Sequence, residues 1–118
     1  MNINKLKKYL DCFNCSSLQT IRNLIKLRKY TIEDVASLME TNERTLRRIL
    51  SGEYELNKKR LSLICAALQL PFRITIELFY IAKIILNTSD LDLELFEILN
   101  NLDANEIYEN IEKIKKLF

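Results

Sequence analysis

Residues 31–53 read TIEDVASLMETNERTLRRILSGE, and two short helices can be drawn on them. Thr31 is placed to cap the first. Glu33 and Asp34 stand in its opening turn, where a carboxylate suits the positive end of the helix dipole. Ile32, Val35, Ala36, Leu38 and Met39 supply its apolar side. Only Glu40 to Asn42 separate it from a second helix, which Asn42 caps and Gly52 stops from just past its end. On a wheel of about 100° per residue, Leu46, Ile49 and Leu50 share one face. Arg44 and Arg48 fall about 160° from Leu46 on either side, Ser51 about 140° away, and Arg47 and Thr45 about 100° away on the flanks.

Two short helices joined by so tight a turn describe a helix-turn-helix. The outward face of the second helix is made of arginines, a threonine and a serine, and a helix of that girth fits the major groove of duplex DNA. A guanidinium can bond guanine O6 and N7 together, and a threonine can meet a thymine methyl, so Arg44, Arg48, Arg47 and Thr45 are candidate base readers. Glu43 could accept from cytosine N4, although its place in the first turn suits the helix dipole better. Within the helix no Glu stands four residues from Arg44 or Arg48 to neutralise either. A second basic run, Lys58-Lys59-Arg60, opens the following helix, where backbone N–H groups and lysines together make a phosphate clamp.

Working outward, the rest of the chain also reads as helix, with apolar residues three and four apart. Ile3, Leu6, Leu10 and Phe13 mark a helix over about residues 3–12. Ser16 with Gln19 spells a capping box for a helix running to about Tyr30. Asn57 caps a helix through about Leu70, with Leu61, Ile64, Cys65 and Leu68 inward. Pro71 starts a very apolar helix expected to reach Leu86. Residues 87–90 form a linker, Ser89 opens a helix to about Asn101, and Asp103 with Glu106 resembles another capping box before Ile107, Ile111, Ile114 and Phe118. The expectation is an all-α chain of about seven helices: an N-terminal helix (1–15), a helix-turn-helix domain (16–70) and a helical extension (71–118).

Composition narrows the chemistry. The 118 residues include one Gly, one Pro and no His. So few turn formers argue against an all-β sandwich, a Gly-rich phosphate loop cannot be built, and His-dependent triads and His-containing metal sites are excluded. No residue set supplies acid, base and nucleophile together, so no enzyme, metal or cofactor is expected. Asp90, Asp92, Glu94 and Glu97 read as a solvated helix face. Cys12, Cys15 and Cys65 read as reduced thiols packed as small hydrophobes, which suits the cytoplasm. The start of the chain shows no signal-peptide pattern and no stretch is long enough to span a bilayer. Residues 1–76 carry 14 Lys/Arg against 7 Asp/Glu, and residues 77–118 carry 4 against 9. This asymmetry places the anionic partner at the front half.

Residues 21–70 resemble the Cro/lambda-repressor-type (XRE-like) helix-turn-helix domain. The likeness rests on the helix from Ile21 to Lys29, Val35-Ala36, Met39, the turn, Leu46, Ile49 and Gly52, followed by Leu61, Ile64, Ala67 and Leu70, spaced without gaps. By position it implies base reading by Glu43, Arg44 and Arg48, and phosphate contacts from Thr31, Asn42, Lys58 and Lys59, with Ser51 beside them. Three departures stand out. Ile32 replaces a phosphate-gripping Gln, Glu40 stands where the turn usually has Gly, and Ile25 with Leu50 replaces a buried ion pair by an apolar contact. The resemblance implies a sequence-specific regulator of double-stranded DNA, of the bacterial or phage repressor kind. A helix apolar nearly all round must be covered on several sides. Phe72, Ile76, Phe79, Tyr80 and Ile84 are therefore expected to form a two-fold homodimer contact that sets two recognition helices on a palindromic operator. The alternative is a protein-interaction module on the same fold: an antitoxin, an anti-repressor or an inhibitor of a host protein.

Overall fold

The structure is a computed structural model describing residues 3–118; the first two residues of the expected N-terminal segment lie outside that range. It bears out the all-α expectation, with eight α-helices and one 3-10 turn among the described residues. They are α1 (Ile3–Leu10), α2 (Ser17–Leu27), α3 (Ile32–Leu38), α4 (Glu43–Leu50), α5 (Lys58–Ala67), α6 (Phe72–Ile81), α7 (Asp90–Asn100), the 3-10 turn Leu102–Ala104, and α8 (Ile107–Leu117). None of these helices is long and apolar enough to cross a membrane. The chain divides into two compact units, one ending at Glu55 and the other spanning Leu56–Phe118. In the first, α3 packs on α4, α4 on α2, and α1 on α2, with Ile21, Leu24, Val35 and Leu46 fully buried. In the second, α8 packs on α5 and α7, and α7 also meets α5 and α6, burying Leu61, Ile64, Leu78, Leu95 and Leu99.

Helices this short depend on how their ends are satisfied. Five starts use a side chain that accepts the backbone N–H three residues on: Ser16 from Gln19 (3.2 Å), Thr31 from Asp34 (3.0 Å), Asn42 from Thr45 (2.7 Å), Asn57 from Arg60 (2.9 Å) and Ser89 from Asp92 (3.3 Å). At Thr31 the box is reciprocal, because the Thr31 N–H donates to Asp34 Oδ2 at 2.8 Å. At Ser16 it is half formed: the Gln19 amide donates to Asn23 Oδ1 at 3.0 Å instead of reaching back.

The helix ends share a different device. Just past α2, α3, α5 and α6 stand Lys29, Glu40, Gln69 and Lys83, with φ of 60°, 59°, 46° and 60°; Gly52 follows α4 at 84°. In the four non-glycine cases the next residue's N–H closes back to a carbonyl five residues earlier: Tyr30 to Ile25, Thr41 to Ala36, Leu70 to Cys65 and Ile84 to Phe79, at 2.9–3.1 Å. These are Schellman closures, for which glycine is the usual residue. Among the described residues the chain makes five left-handed ends with one glycine. The apolar helix from Pro71 accordingly stops at Ile81, short of the expected Leu86, because the chain turns left-handed at Lys83.

Three further expectations are corrected. Asp103 and Glu106 form no capping box; residues 102–104 make a 3-10 turn, and α8 starts after Glu106 without a side-chain cap. The turn is held from α5's end and from α8, where Gln69 Nε2 donates to the Asn105 carbonyl at 3.1 Å and Asn110 Nδ2 to the Leu102 carbonyl at 3.0 Å. Cys12 and Cys65 are buried thiols, but Cys15 is exposed; all three are free. Burial pushes the Cys65 thiol up to about 12. Asp92 does not belong to a solvated face: it is 1% exposed. Lys58 Nζ reaches both its oxygens, at 2.8 and 2.9 Å, and the Asn87 N–H donates to Oδ2 at 2.9 Å. These donors, Lys58 foremost, hold the Asp92 carboxyl below its ordinary 3.8.

Two predictions follow from these ends and this carboxylate. Replacing Lys29, Gln69 and Lys83 by Gly removes the left-handed penalty at each site and is expected to stabilise by roughly 0.5–1 kcal/mol apiece. Thermal denaturation of the single and triple variants checks this. Gly52→Ala moves the other way for conformational rather than steric reasons, since an added Cβ would meet only Leu18 Cδ1 at 3.7 Å. Asp92 binds its proton less readily folded than unfolded, so its contribution is complete above the unfolded pKa and is lost as pH falls through the lower folded one. Denaturant unfolding of wild type and Asp92→Asn from about pH 5 to about pH 2 should show the wild type losing the acid-sensitive part of its advantage below about pH 4.

Candidate nucleic-acid interface

Within the first unit, α3 and α4 are joined by Met39 to Asn42. The turn closes because Glu40 adopts the left-handed conformation, which lets its N–H reach the Ser37 carbonyl at 3.0 Å and the Thr41 N–H reach that of Ala36 at 2.9 Å. Asn42 then starts α4. Glu40 thus keeps the backbone expected of a glycine at this position. The periodicity of α4 is realised as read. Leu46, Ile49 and Leu50 are buried, as is Ile25 of α2, so the apolar pair that replaces an ion pair lies wholly inside.

The opposite side of α4 is polar and open, but its arginines are not equivalent. Arg44 is exposed and makes no hydrogen bond or ion pair among the described residues. Arg47 pairs with Glu43 one turn earlier, Nη2 to Oε1 at 2.9 Å, with 58% and 43% of the two side chains exposed. Such a pair on open surface contributes little to stability. Glu43 therefore sits in the first turn with its charge shared. Arg48 is tethered: Nη1 donates to the Tyr54 hydroxyl at 2.7 Å, the guanidinium lies 5.5 Å from that ring's centre, and Glu53 Oε2 stands 3.7 Å from Nε. The Gly52 reversal makes this possible by turning the chain back, so that the Tyr54 N–H also reaches the Arg48 carbonyl at 3.1 Å. Thr45 is half-buried.

Among the expected phosphate contacts, Thr31, Asn42 and Ser51 are exposed helix-end residues. Two of them spend one acceptor on a cap, and Ser51 Oγ donates to the Arg48 carbonyl at 3.1 Å. At the start of α5, in the second unit, Lys59 is exposed, whereas Lys58 is committed to Asp92 with 27% of its side chain exposed. Glu53, Tyr54 and Asp92 are participants around these arginines and lysines that sequence reasoning missed. Tyr54 carried a faint signal, an aromatic soon after a helix-stopping glycine. Asp92 lies 34 residues from Lys58 and carried none.

The expected dimer residues also separate. Tyr80 is 78% exposed, Phe72 and Ile76 are half-buried, as is Ile84, and Phe79 is buried. Phe72 packs edge-on against Phe96, ring centres 5.0 Å apart. With Ile85, Leu86, Leu93 and Phe96, four of them, all but Phe72, line an apolar groove of about 650 Å³ in the second unit. Ile85, Leu93 and Phe96 were not expected there, and each is exposed. Ile85 reaches the surface because α6 ends early. No group of Cys, Asp or Glu among the described residues is arranged to hold a metal ion.

The helix-turn-helix family model matches residues 21–74, from the second turn of α2 into the first turn of α6. No curated protein and no solved structure matches the chain. The match covers the segment whose spacing carries the resemblance and contains α3, its turn and α4 entire. Over residues 21–74, just under half of the chain, the protein therefore matches a helix-turn-helix family on the segment that carries the Cro/lambda-repressor-type resemblance, which supports a DNA-binding regulator in general terms.

Proposed function

We propose that the protein is a cytoplasmic, sequence-specific regulator that reads double-stranded DNA with α4 and represses transcription as a homodimer on a palindromic operator. The observation that carries this reading is Arg44: an exposed guanidinium in the first turn of α4, with no partner of its own, opposite a face that is fully buried. A cation left unpaired there is available to a guanine edge. Arg47 and Thr45 flank it, and Arg48 joins the contact by exchanging the Tyr54 hydroxyl for a base or a phosphate. Glu43 serves the helix start and steers Arg47. Thr31, Asn42, Ser51 and Lys59 supply phosphate contacts that fix register without reading sequence.

The dimer is assigned to the apolar groove and its rim. Tyr80, Ile85, Leu93 and Phe96, with the half-buried Ile84 beside them, form an apolar patch in an otherwise acidic part of the chain, and such patches mark interaction surfaces. Phe72 and Ile76 support it, and Phe79 forms part of the floor. A two-fold contact here doubles the few base contacts that one domain offers. The same groove favours the second reading, a protein-interaction module, if its occupant is a different protein.

Selection of duplexes from a random pool tests the function directly; a palindromic consensus is the expected result. Against the selected duplex, Arg44→Ala should cost roughly 1–3 kcal/mol and relax preference at one base position per half-site. Arg48→Ala should cost less, because its guanidinium must first leave Tyr54. Fluorescence anisotropy with consensus and scrambled duplexes separates the two. For assembly, sedimentation velocity at tens of micromolar should show a dimer that Tyr80→Glu with Ile85→Glu converts to a folded monomer. A monomeric wild type removes the dimer assignment, and a stoichiometric foreign partner with no DNA shift favours the second reading.

A further inference from the structure

The start of α5 holds two adjacent lysines in different electrical states. Lys59 projects into solvent with no partner among the described residues. Lys58 gives two of its three N–H donors to one carboxylate, at 2.8 and 2.9 Å, and that carboxylate is 1% exposed. Asp92 is further fixed by the Asn87 N–H at 2.9 Å and by its place in the first turn of α7, where Ser89 caps the helix. An aspartate used only to start α7 does not need a lysine from α5, and a lysine used only to hold a phosphate would not be closed onto a buried acid.

Resting on the DNA-binding reading above, we propose that Asp92 is an internal stand-in for a DNA phosphate. It withholds Lys58 from the nucleic acid, so that opening or closing this one pair sets the strength of non-specific binding. The competition is between like groups. A phosphate and a carboxylate both offer oxygens to an ammonium, but Asp92 is already in place and shielded from solvent. Moving Lys58 onto DNA leaves Asp92 buried without its counter-ion, and an uncompensated buried charge is strongly unfavourable. The closed pair is neutral, so of the two adjacent lysines α5 presents only the charge of Lys59 to a phosphate. Anything that draws α7 away from α5 restores a second cation at the same helix start. The device acts on affinity in general and leaves base preference, the work of α4, unchanged.

The test is a titration of a mixed-sequence duplex at several salt concentrations, with wild type, Asp92→Asn, and Asp92→Asn combined with Lys58→Ala. Asp92→Asn is expected to bind several-fold more tightly than wild type, with the slope of log affinity on log salt steeper by about 0.9, the value for one added phosphate contact. The double variant should return to the wild-type affinity and slope. No gain from a folded Asp92→Asn overturns the proposal and leaves the pair a structural tether. A gain that persists in the double variant also overturns it, because the effect then comes from removing a negative charge and not from freeing Lys58. If Asp92→Asn does not fold, the wild type decides. On adding duplex, the Lys59 ammonium resonance should move while that of Lys58 stays still, and movement of both overturns the proposal. Wild-type binding that depends on Arg44 but shows none of these effects sinks the switch alone. No duplex binding by any variant at low salt sinks the DNA reading together with it.

Discussion

Short helices are governed by their ends. A helix of seven residues, such as α3, leaves four N–H groups and four carbonyls without partners inside itself, so its interior bonds are outnumbered by what the termini must resolve. Propensity alone does not hold such a segment in water. The structure answers, among the described residues, with side-chain caps at five helix starts and a left-handed residue just past five helix ends. The α3–α4 turn is where the two meet. The closure at Glu40 ends one helix, and Asn42 begins the next two residues later. That spacing fixes the register of α4, and register decides that Leu46, Ile49 and Leu50 go inward while Arg44 and Arg47 go out.

Much of this was legible in the sequence, and the legible part has a common character. Thr31, Asn42, Asn57 and Ser89 are residues whose side chains compete for backbone N–H groups, so they announce helix starts wherever an apolar run follows. The buried face of α4 followed from spacing alone. Helix ends were harder to see. Lys29, Glu40, Gln69 and Lys83 are good helix formers, and nothing local marks them as the points where the chain turns left-handed. The apolar run after Pro71 therefore read as one helix to Leu86, although the chain reverses at Lys83 and leaves Ile85 on the surface.

The electrostatic state of the site was the least legible part. A wheel sorts residues by direction and says nothing of what approaches from elsewhere in the chain. It put Arg44, Arg47 and Arg48 on one polar side, whereas the structure leaves one unpartnered, pairs one along the helix and tethers one to an aromatic hydroxyl. The tether needed the reversal at Gly52. The Lys58–Asp92 pair needed α5 and α7 to be packed together, which a one-dimensional reading does not supply. In both cases a residue assigned to an external partner is occupied by an internal one.

The left-handed ends have a bearing on ancestry. A reversal secured by its own pair of backbone hydrogen bonds accepts lysine, glutamate or glutamine in place of glycine, and the connection it makes is the same. Substitution can therefore erase the letters by which such a turn is usually known while the interval between one helix and the next is preserved. For proteins built in this way, kinship is written in the distances between buried positions, and a comparison that counts identities will lose it long before the shape does.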